Sequence, residues 1–144
     1  MSIRKYDVFL SYSSSDREAV IAPFLSKIEQ LGIRSWCDIR QISWGDSIVE
    51  NIQKGINESI FLIAFISSSF LMKSWPLKEL RTAHATQLSG KITVLPVLLG
   101  ISPYELSNEL PFLSDINNLW VKDYDPSKQI PDWYITNIAQ ELKL

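Results

Sequence analysis

Glu79 stands in the stretch SWPLKEL, residues 74–80, one carboxylate among mostly apolar neighbours with Trp75 and Pro76 just ahead of it. A residue before proline is pushed out of the α region, so Trp75 is expected to precede a helix that Pro76 begins. Glu79 then lies about one turn into that helix, where the positive end of the dipole favours the ionised carboxylate. A group so placed is a poor proton donor and a good fixed negative charge, with the Trp75 indole as a flat apolar wall. The plainer reading is a solvent-facing glutamate and a tryptophan filling a gap, and the residues alone leave both open. Other reactive types are scarce: the chain has one cysteine, Cys37, and one histidine, His84, too few soft ligands for a structural zinc site. His84 falls mid-helix and reads as structural or solvated. Cys37 ends an apolar run and reads as inert packing rather than a reactive thiol. The stretch SYSSSD, residues 11–16, contains no glycine and is not a phosphate-cradling loop. A Ser–His–Asp hydrolase would need a nucleophile elbow, and the chain has none.

The elements that position these residues follow from apolar patterning. YDVFLSY (Tyr6–Tyr12) is a short apolar, β-rich run with little alternation, as in a strand buried on both faces. Asp16 is expected to cap a helix running to about Leu31, with Val20, Phe24, Ile28 and Leu31 on one face and Gly32 as its stop. IRSWCD (Ile33–Asp38) reads as strand two, Ile39–Gly45 as a loop, and Asp46 as the cap of a helix carrying Ile48, Ile52 and Ile56. IFLIAFI (Ile60–Ile66) is the clearest buried strand; SSSF then opens a loop and helical turn, and the Pro76 helix runs to about Leu88. KITVLPVLL (Lys91–Leu99) is strand four, Ile101–Asn117 is poorly patterned with room for a short helix, NLWVK is a short edge strand, and PDWYITNIAQELKL a closing helix. Strands alternating with helices imply a parallel sheet wrapped on both faces. Ligands bind such sheets outside the carboxyl ends of the strands, which brings Ser11–Ser15, Asp38–Gly45, Ser67–Trp75 and the loop after Leu99 together.

Composition narrows the class. The 144 residues fit one domain, and 46% hydrophobic with 21% charged residues is ordinary for a globular chain. A net charge of −2, from 14 basic and 16 acidic residues, argues against a nucleic-acid surface. The longest nearly uncharged apolar run, Ile60–Met72, is too short to span a bilayer as a helix, and no signal peptide is expected. A single cysteine fits a reducing, cytoplasmic setting.

Taken in order, YDVFLSYSSSD, WCDIRQISWGDSIVENIQKGINES, FLIAFISSSFLMKSWPLKEL and ITVLPVLL resemble a TIR (Toll/interleukin-1 receptor) domain over nearly the whole chain. The specific parts are the first strand with its Ser-Tyr end, the loop closed by Gly45-Asp46, and the Trp-x-x-x-Glu of Trp75 and Glu79. The resemblance implies a single TIR domain, residues 1–144, with a flavodoxin-like fold: a five-stranded parallel sheet with helices on both faces. It is compatible with a domain cut from a larger protein that carries a sensor or oligomerising part. It also implies one of two functions. Many bacterial TIR domains cleave NAD at the nicotinamide–ribose bond, giving nicotinamide and ADP-ribose or a cyclic isomer, in immunity or signalling. Others only assemble with one another.

The cleaving, bacterial reading is preferred, because a scaffold needs neither Glu79 nor Trp75. In it Glu79 matches the catalytic residue, and Tyr12, Ser13, Asp38, Trp44, Ser67 and Trp75 are assigned to the NAD site. Tyr12 looks like a wall of the nicotinamide–ribose pocket, against a plain role as a core tyrosine with its hydroxyl at the rim. Asp38 is either a cleft-lining acid or a turn-forming residue. Trp44 contacts the nucleotide or a neighbouring subunit, or packs on its own loop. Ser13 and Ser14 stand where some animal members carry basic residues, so help with the phosphates must come from elsewhere. NAD is substrate rather than cofactor, and neither metal nor membrane is implied. Self-association is expected through the Ile39–Gly45 loop. A flavin-binding flavodoxin is disfavoured because the first loop is no phosphate cradle.

Overall fold

Short apolar runs with β-branched and aromatic residues become the strands, and their order in space is what creates a ligand crevice. The structure, a computed structural model, describes residues 5–37, 54–72, 80–81, 84–85 and 92–142. Within them lie β1 (Tyr6–Ser11), β2 (Ser35–Cys37), β3 (Ser59–Ile66), β4 (Thr93–Leu99) and β5 (Leu119–Val121). They form one sheet in the order β2-β1-β3-β4-β5 with every neighbouring pair parallel, the flavodoxin-like arrangement expected. Strand two begins at Ser35 rather than Ile33, and Tyr12 falls just beyond β1. Pro96, opposite Ala64, sits one residue before the β4–β5 register begins at Val97 and Leu119, so no β5 residue faces it.

Alternation along the strands feeds two cores. Val8, Leu10, Ile63, Phe65, Val97 and Leu99 pack on one face with α1 (Ala22–Gln30) and the closing helix, which we number α4 (Asp132–Glu141). Phe9, Trp36, Leu62, Ala64, Ile66 and Leu98 pack on the other with Ile56, Leu80 and α3 (Pro103–Glu109) through Leu106. A short helix, α2 (Ser68–Met72), follows β3.

The first helix differs from expectation in a way the sequence explains. Asp16 makes no capping bond; Ser14–Asp16 forms a 3₁₀ turn, Arg17–Ile21 a π-helical turn, and only then does α1 begin. Pro23 has no N–H to give the Ala19 carbonyl four residues back, and its ring would collide with that oxygen. The chain widens instead, and Ala22 N–H bonds to the Arg17 carbonyl. The Ala19 carbonyl is taken by the N–H of Ile130 at 3.1 Å, from the segment leading to α4. Leu31, expected on the apolar face, is 45% exposed because α1 ends at Gln30. Gly32 does stop the helix: its φ of 72° lets its own N–H reach Glu29 and that of Ile33 reach Ile28.

Several expectations fall outside the described residues. These are Asp38, the Ile39–Gly45 loop with Trp44, the Asp46 cap with Ile48 and Ile52, the Trp75–Pro76–Glu79 segment, and the side chain of Cys37. Of the helices on which they were placed, residues 54–57, 80–81 and 84–85 are helical.

Gly55 lies under the parallel stack of Phe9 and Trp36, whose ring centroids are 4.6 Å apart. A Cβ there would stand 2.8 Å from Trp36 Cδ2 and 2.9 Å from Phe9 Cε2. Alanine gains about 1 kcal/mol of helix propensity, but overpacking a stacked aromatic pair costs about 1–3 kcal/mol. Gly55→Ala is therefore expected to lower stability. Thermal melting checks it, and a raised Tm would show that the stack yields freely.

Candidate active site

The strand order reverses between β1 and β3, and the loops leaving their carboxyl ends meet there through side chains. Asp16, 1% exposed, lies at the centre. Its Oδ2 accepts from Ser67 Oγ at 2.5 Å and its Oδ1 from the Tyr124 hydroxyl at 2.6 Å. Ser67 Oγ in turn accepts from the Phe70 N–H at 3.1 Å, capping the first turn of α2. Ser69, on that turn, donates to Ser15 Oγ at 3.1 Å and lies 2.8 Å from Ser13 Oγ. A hydroxyl has one proton, so with Ser69 donating to Ser15, Ser13 must donate to Ser69. The chain of hydroxyls ends at exposed Ser15, which keeps its proton for solvent or a ligand.

Of the residues expected to line the site, three are described. Tyr12, 5% exposed, belongs to the core cluster beneath the crevice, with the Arg17 guanidinium 5.9 Å from its ring centroid. Ser13 and Ser67, at 1% and 4% exposure, are floor rather than rim, and both hydroxyls already serve protein bonds. Glu79, Trp75, Asp38 and Trp44 lie outside the described residues. His84, half-buried, packs its ring 4.9 Å from that of Phe112, in keeping with a structural role. Asp16, Tyr124 and Arg17 are the residues that sequence reasoning did not place at this crevice; Ser69 fell within its Ser67–Trp75 segment. Asp16 had a signal, an acidic residue just past a buried strand end, but was read as a cap. Tyr124 had none, because 108 positions separate it from its partner.

A cavity of about 410 Å³ lies elsewhere, where α4 passes the amino-terminal end of β5, rimmed by Asn117, Asn118, Asn137 and Gln140. It is at the wrong end of the strands for the ligand crevice of such a sheet. Among the described residues no cluster of His, Cys, Asp and Glu could hold a metal ion, and no helix is long and apolar enough to cross a membrane.

A family model described as the TIR domain matches residues 8–130. The chain belongs to the TIR domain family. The NAD(+) hydrolase TcpA of Theionarchaea archaeon (strain DG-70-1) is 34% identical over 104 residues, covering 72% of this TIR domain and 32% of that protein. The probable 2' cyclic ADP-D-ribose synthase TcpB of Brucella melitensis biotype 1 is 32% identical over 111 residues, covering 77% of the chain and 44% of the relative. The chain thus spans less than half the length of these curated relatives. The solved TIR domain of the Toll-related receptor TRR-2 from Hydra magnipapillata superposes with a TM-score of 0.69 at 26% identity, covering 96% of this chain and 98% of that one.

Burial, the bond to Asp16 and the proximity of Asp16 and Asp125 push the Tyr124 phenol far above its ordinary pKa. A raised folded-state pKa means stability fully present below the ordinary tyrosine value of about 10 and lost as pH climbs through the folded value. Tyr124→Phe should cost about 1–3 kcal/mol at neutral pH, since Asp16 loses a buried donor. The gap from wild type should stay constant to about pH 9 and close above about pH 10. Denaturant unfolding from pH 6 to 11 measures it, and a gap that widens at high pH would contradict the assigned bond.

Proposed function

We propose that this TIR domain cleaves NAD at the nicotinamide–ribose bond. The observation that carries the reading is its similarity, over about three quarters of its length, to relatives named as an NAD(+) hydrolase and a probable 2' cyclic ADP-D-ribose synthase. The meeting of the β1 and β3 loops at the switch point supports it, since that is where a nucleotide has room to lie.

The chemistry needs few groups. A glycosidase usually requires a second carboxyl group to protonate an alkoxide leaving group. Nicotinamide leaves from a pyridinium: the C1′–N bond breaks, its electron pair goes to the ring nitrogen, and the departing group is neutral. What requires stabilisation is the oxocarbenium-like ribose, and Glu79 is assigned as the ionised carboxylate that provides it. Water then adds to C1′ and loses a proton to give ADP-ribose, or a hydroxyl of the same molecule adds and loses its proton to give a cyclic isomer. Trp75 walls the nicotinamide end and Asp38 lines the same cleft, while Tyr12, buried in the core, supports the crevice from beneath rather than facing the ligand. Arg17, beside Tyr12, supplies the positive charge for the diphosphate that Ser13 and Ser14 do not. The site works in the cytoplasm, without metal or further cofactor, as one unit of a larger immune or signalling protein.

Glu79→Ala is expected to reduce nicotinamide release by at least about 100-fold while leaving the melting temperature nearly unchanged. Full activity in that variant would sink the assignment of Glu79.

Assembly is the proposed switch. The Ile39–Gly45 loop of one copy, through Trp44, completes the cleft of its neighbour, so the competent state is rare until a neighbour stabilises it. A fused oligomerising part would raise the local concentration. Specific activity should rise with protein concentration across a wide dilution series, and Trp44→Ala should flatten the rise. Constant specific activity at all concentrations would place a complete site in one chain. The rival reading is a silent TIR–TIR module, favoured by the likeness to a receptor TIR domain. It predicts self-association with no nicotinamide released at any concentration.

A further inference from the structure

We propose that Asp16 is a positioning residue for the cleft at the β1/β3 switch point, holding the Ser13–Ser69–Ser15 hydroxyl shelf in place through Ser67 and held itself by Tyr124. The inference rests on the NAD-cleaving reading for its ligand and on side-chain geometry for its mechanism. An acidic residue at the start of a helix ordinarily spends its oxygens on that helix's N–H groups. Asp16 makes no such bond. Both oxygens are instead turned to hydroxyls on other loops, Ser67 after β3 and Tyr124 after β5.

The linkage runs onward without a gap. Asp16 fixes the Ser67 rotamer by accepting a hydrogen bond from its hydroxyl at 2.5 Å. Ser67 can then receive only with its lone pairs, and it takes the Phe70 N–H, setting the first turn of α2. That turn carries Ser69, whose hydroxyl joins Ser13 to Ser15. Ser15 is exposed and Ser69 half-buried, so the end of this chain of bonds is the part a ligand meets. The Ser15 hydroxyl, held by Ser69 and still free to donate, offers a hydrogen bond without charge, which suits a ribose or phosphate oxygen of a dinucleotide. Tyr124 is braced from behind: it packs against Gly100, where an added Cβ would stand 3.5 Å from Tyr124 Cβ. Gly100, with φ 75°, donates its N–H to Val121 at 3.0 Å. Removing the Tyr124 hydroxyl therefore releases one side of Asp16 while leaving every residue of the shelf in the chain.

A displacement of about 1 Å in a positioning group can cost up to about 100-fold in rate. The test compares Tyr124→Phe and Ser67→Ala with Ile138→Val, a core substitution in α4, all at a temperature where each variant is folded. Positioning predicts that kcat for nicotinamide release falls about tenfold or more in the first two, with Ile138→Val keeping the wild-type kcat despite its own loss of Tm. Wild-type kcat in Tyr124→Phe or in Ser67→Ala would overturn the proposal, as would an equal fall in Ile138→Val at matched Tm. NAD titration by calorimetry separates this from failure of the activity itself. If the wild type releases no nicotinamide, a changed NAD affinity in Tyr124→Phe keeps the positioning role and discards the cleavage. Equal affinity in both overturns the positioning role.

Discussion

A carboxyl group at 1% exposure cannot be left unpaired, and two hydroxyls satisfy Asp16. Much of the carboxyl end of this sheet depends on that requirement. The two donors come from loops that follow different strands, so satisfying one side chain fixes the relative position of three loops. Each loop also hangs on a rigid strand whose neighbours pair with it in parallel. The hydrophobic cores hold the sheet to its helices, but apolar contacts are non-directional and would tolerate a shift along the strands. The hydrogen bonds to Asp16 have direction and short reach, and they set the crevice to a single arrangement.

Chemistry and support are thus divided between residue types. The cleavage proposed here needs one fixed negative charge, because the leaving group departs neutral. The described part of the crevice accordingly offers hydroxyls, with one guanidinium, Arg17, lying over the buried Tyr12 ring, rather than a set of acids and bases. In the floor, the one acidic group, Asp16, has both oxygens turned to protein hydroxyls, which leaves contact with the ligand's charges to residues on the rim.

Much of the fold was legible in the sequence. Strands buried on both faces read as unbroken apolar runs, and Ile60–Ile66 differs from β3 (Ser59–Ile66) by one residue. Gly32 and the closing helix were equally plain, because a left-handed stop and an apolar periodicity are local properties. The Ser102–Glu105 capping box that starts α3 is just as local, with Pro103 at its first position, yet the segment read as poorly patterned because it is short. What failed was what depends on partners far away. The helix after β1 was drawn as one element because Val20, Phe24 and Ile28 keep helical spacing. Pro23 cannot bond the Ala19 carbonyl, and the π-helical turn follows from that pair. Asp16 was read as a cap because its true partners, Ser67 and Tyr124, are remote in sequence. The recognition of Glu79 came from resemblance to a family; its local physics allowed a plain surface residue as well.

The widened turn at Arg17–Ile21 has a consequence for the order in which this chain can fold. It leaves the Ala19 carbonyl to be claimed by Ile130, and Asp16, three positions earlier, waits for Tyr124. Both partners arrive in the last quarter of the chain. Closing a loop of this length costs entropy before any contact repays it. The strands β1, β3 and β4 and their apolar faces can therefore assemble while the crevice is still unset. A growing chain released from the ribosome up to β4 would carry the serines of the shelf and the segment with Glu79, but not the tyrosine that holds Asp16. The crevice takes its final shape only when the end of the chain has returned to its beginning.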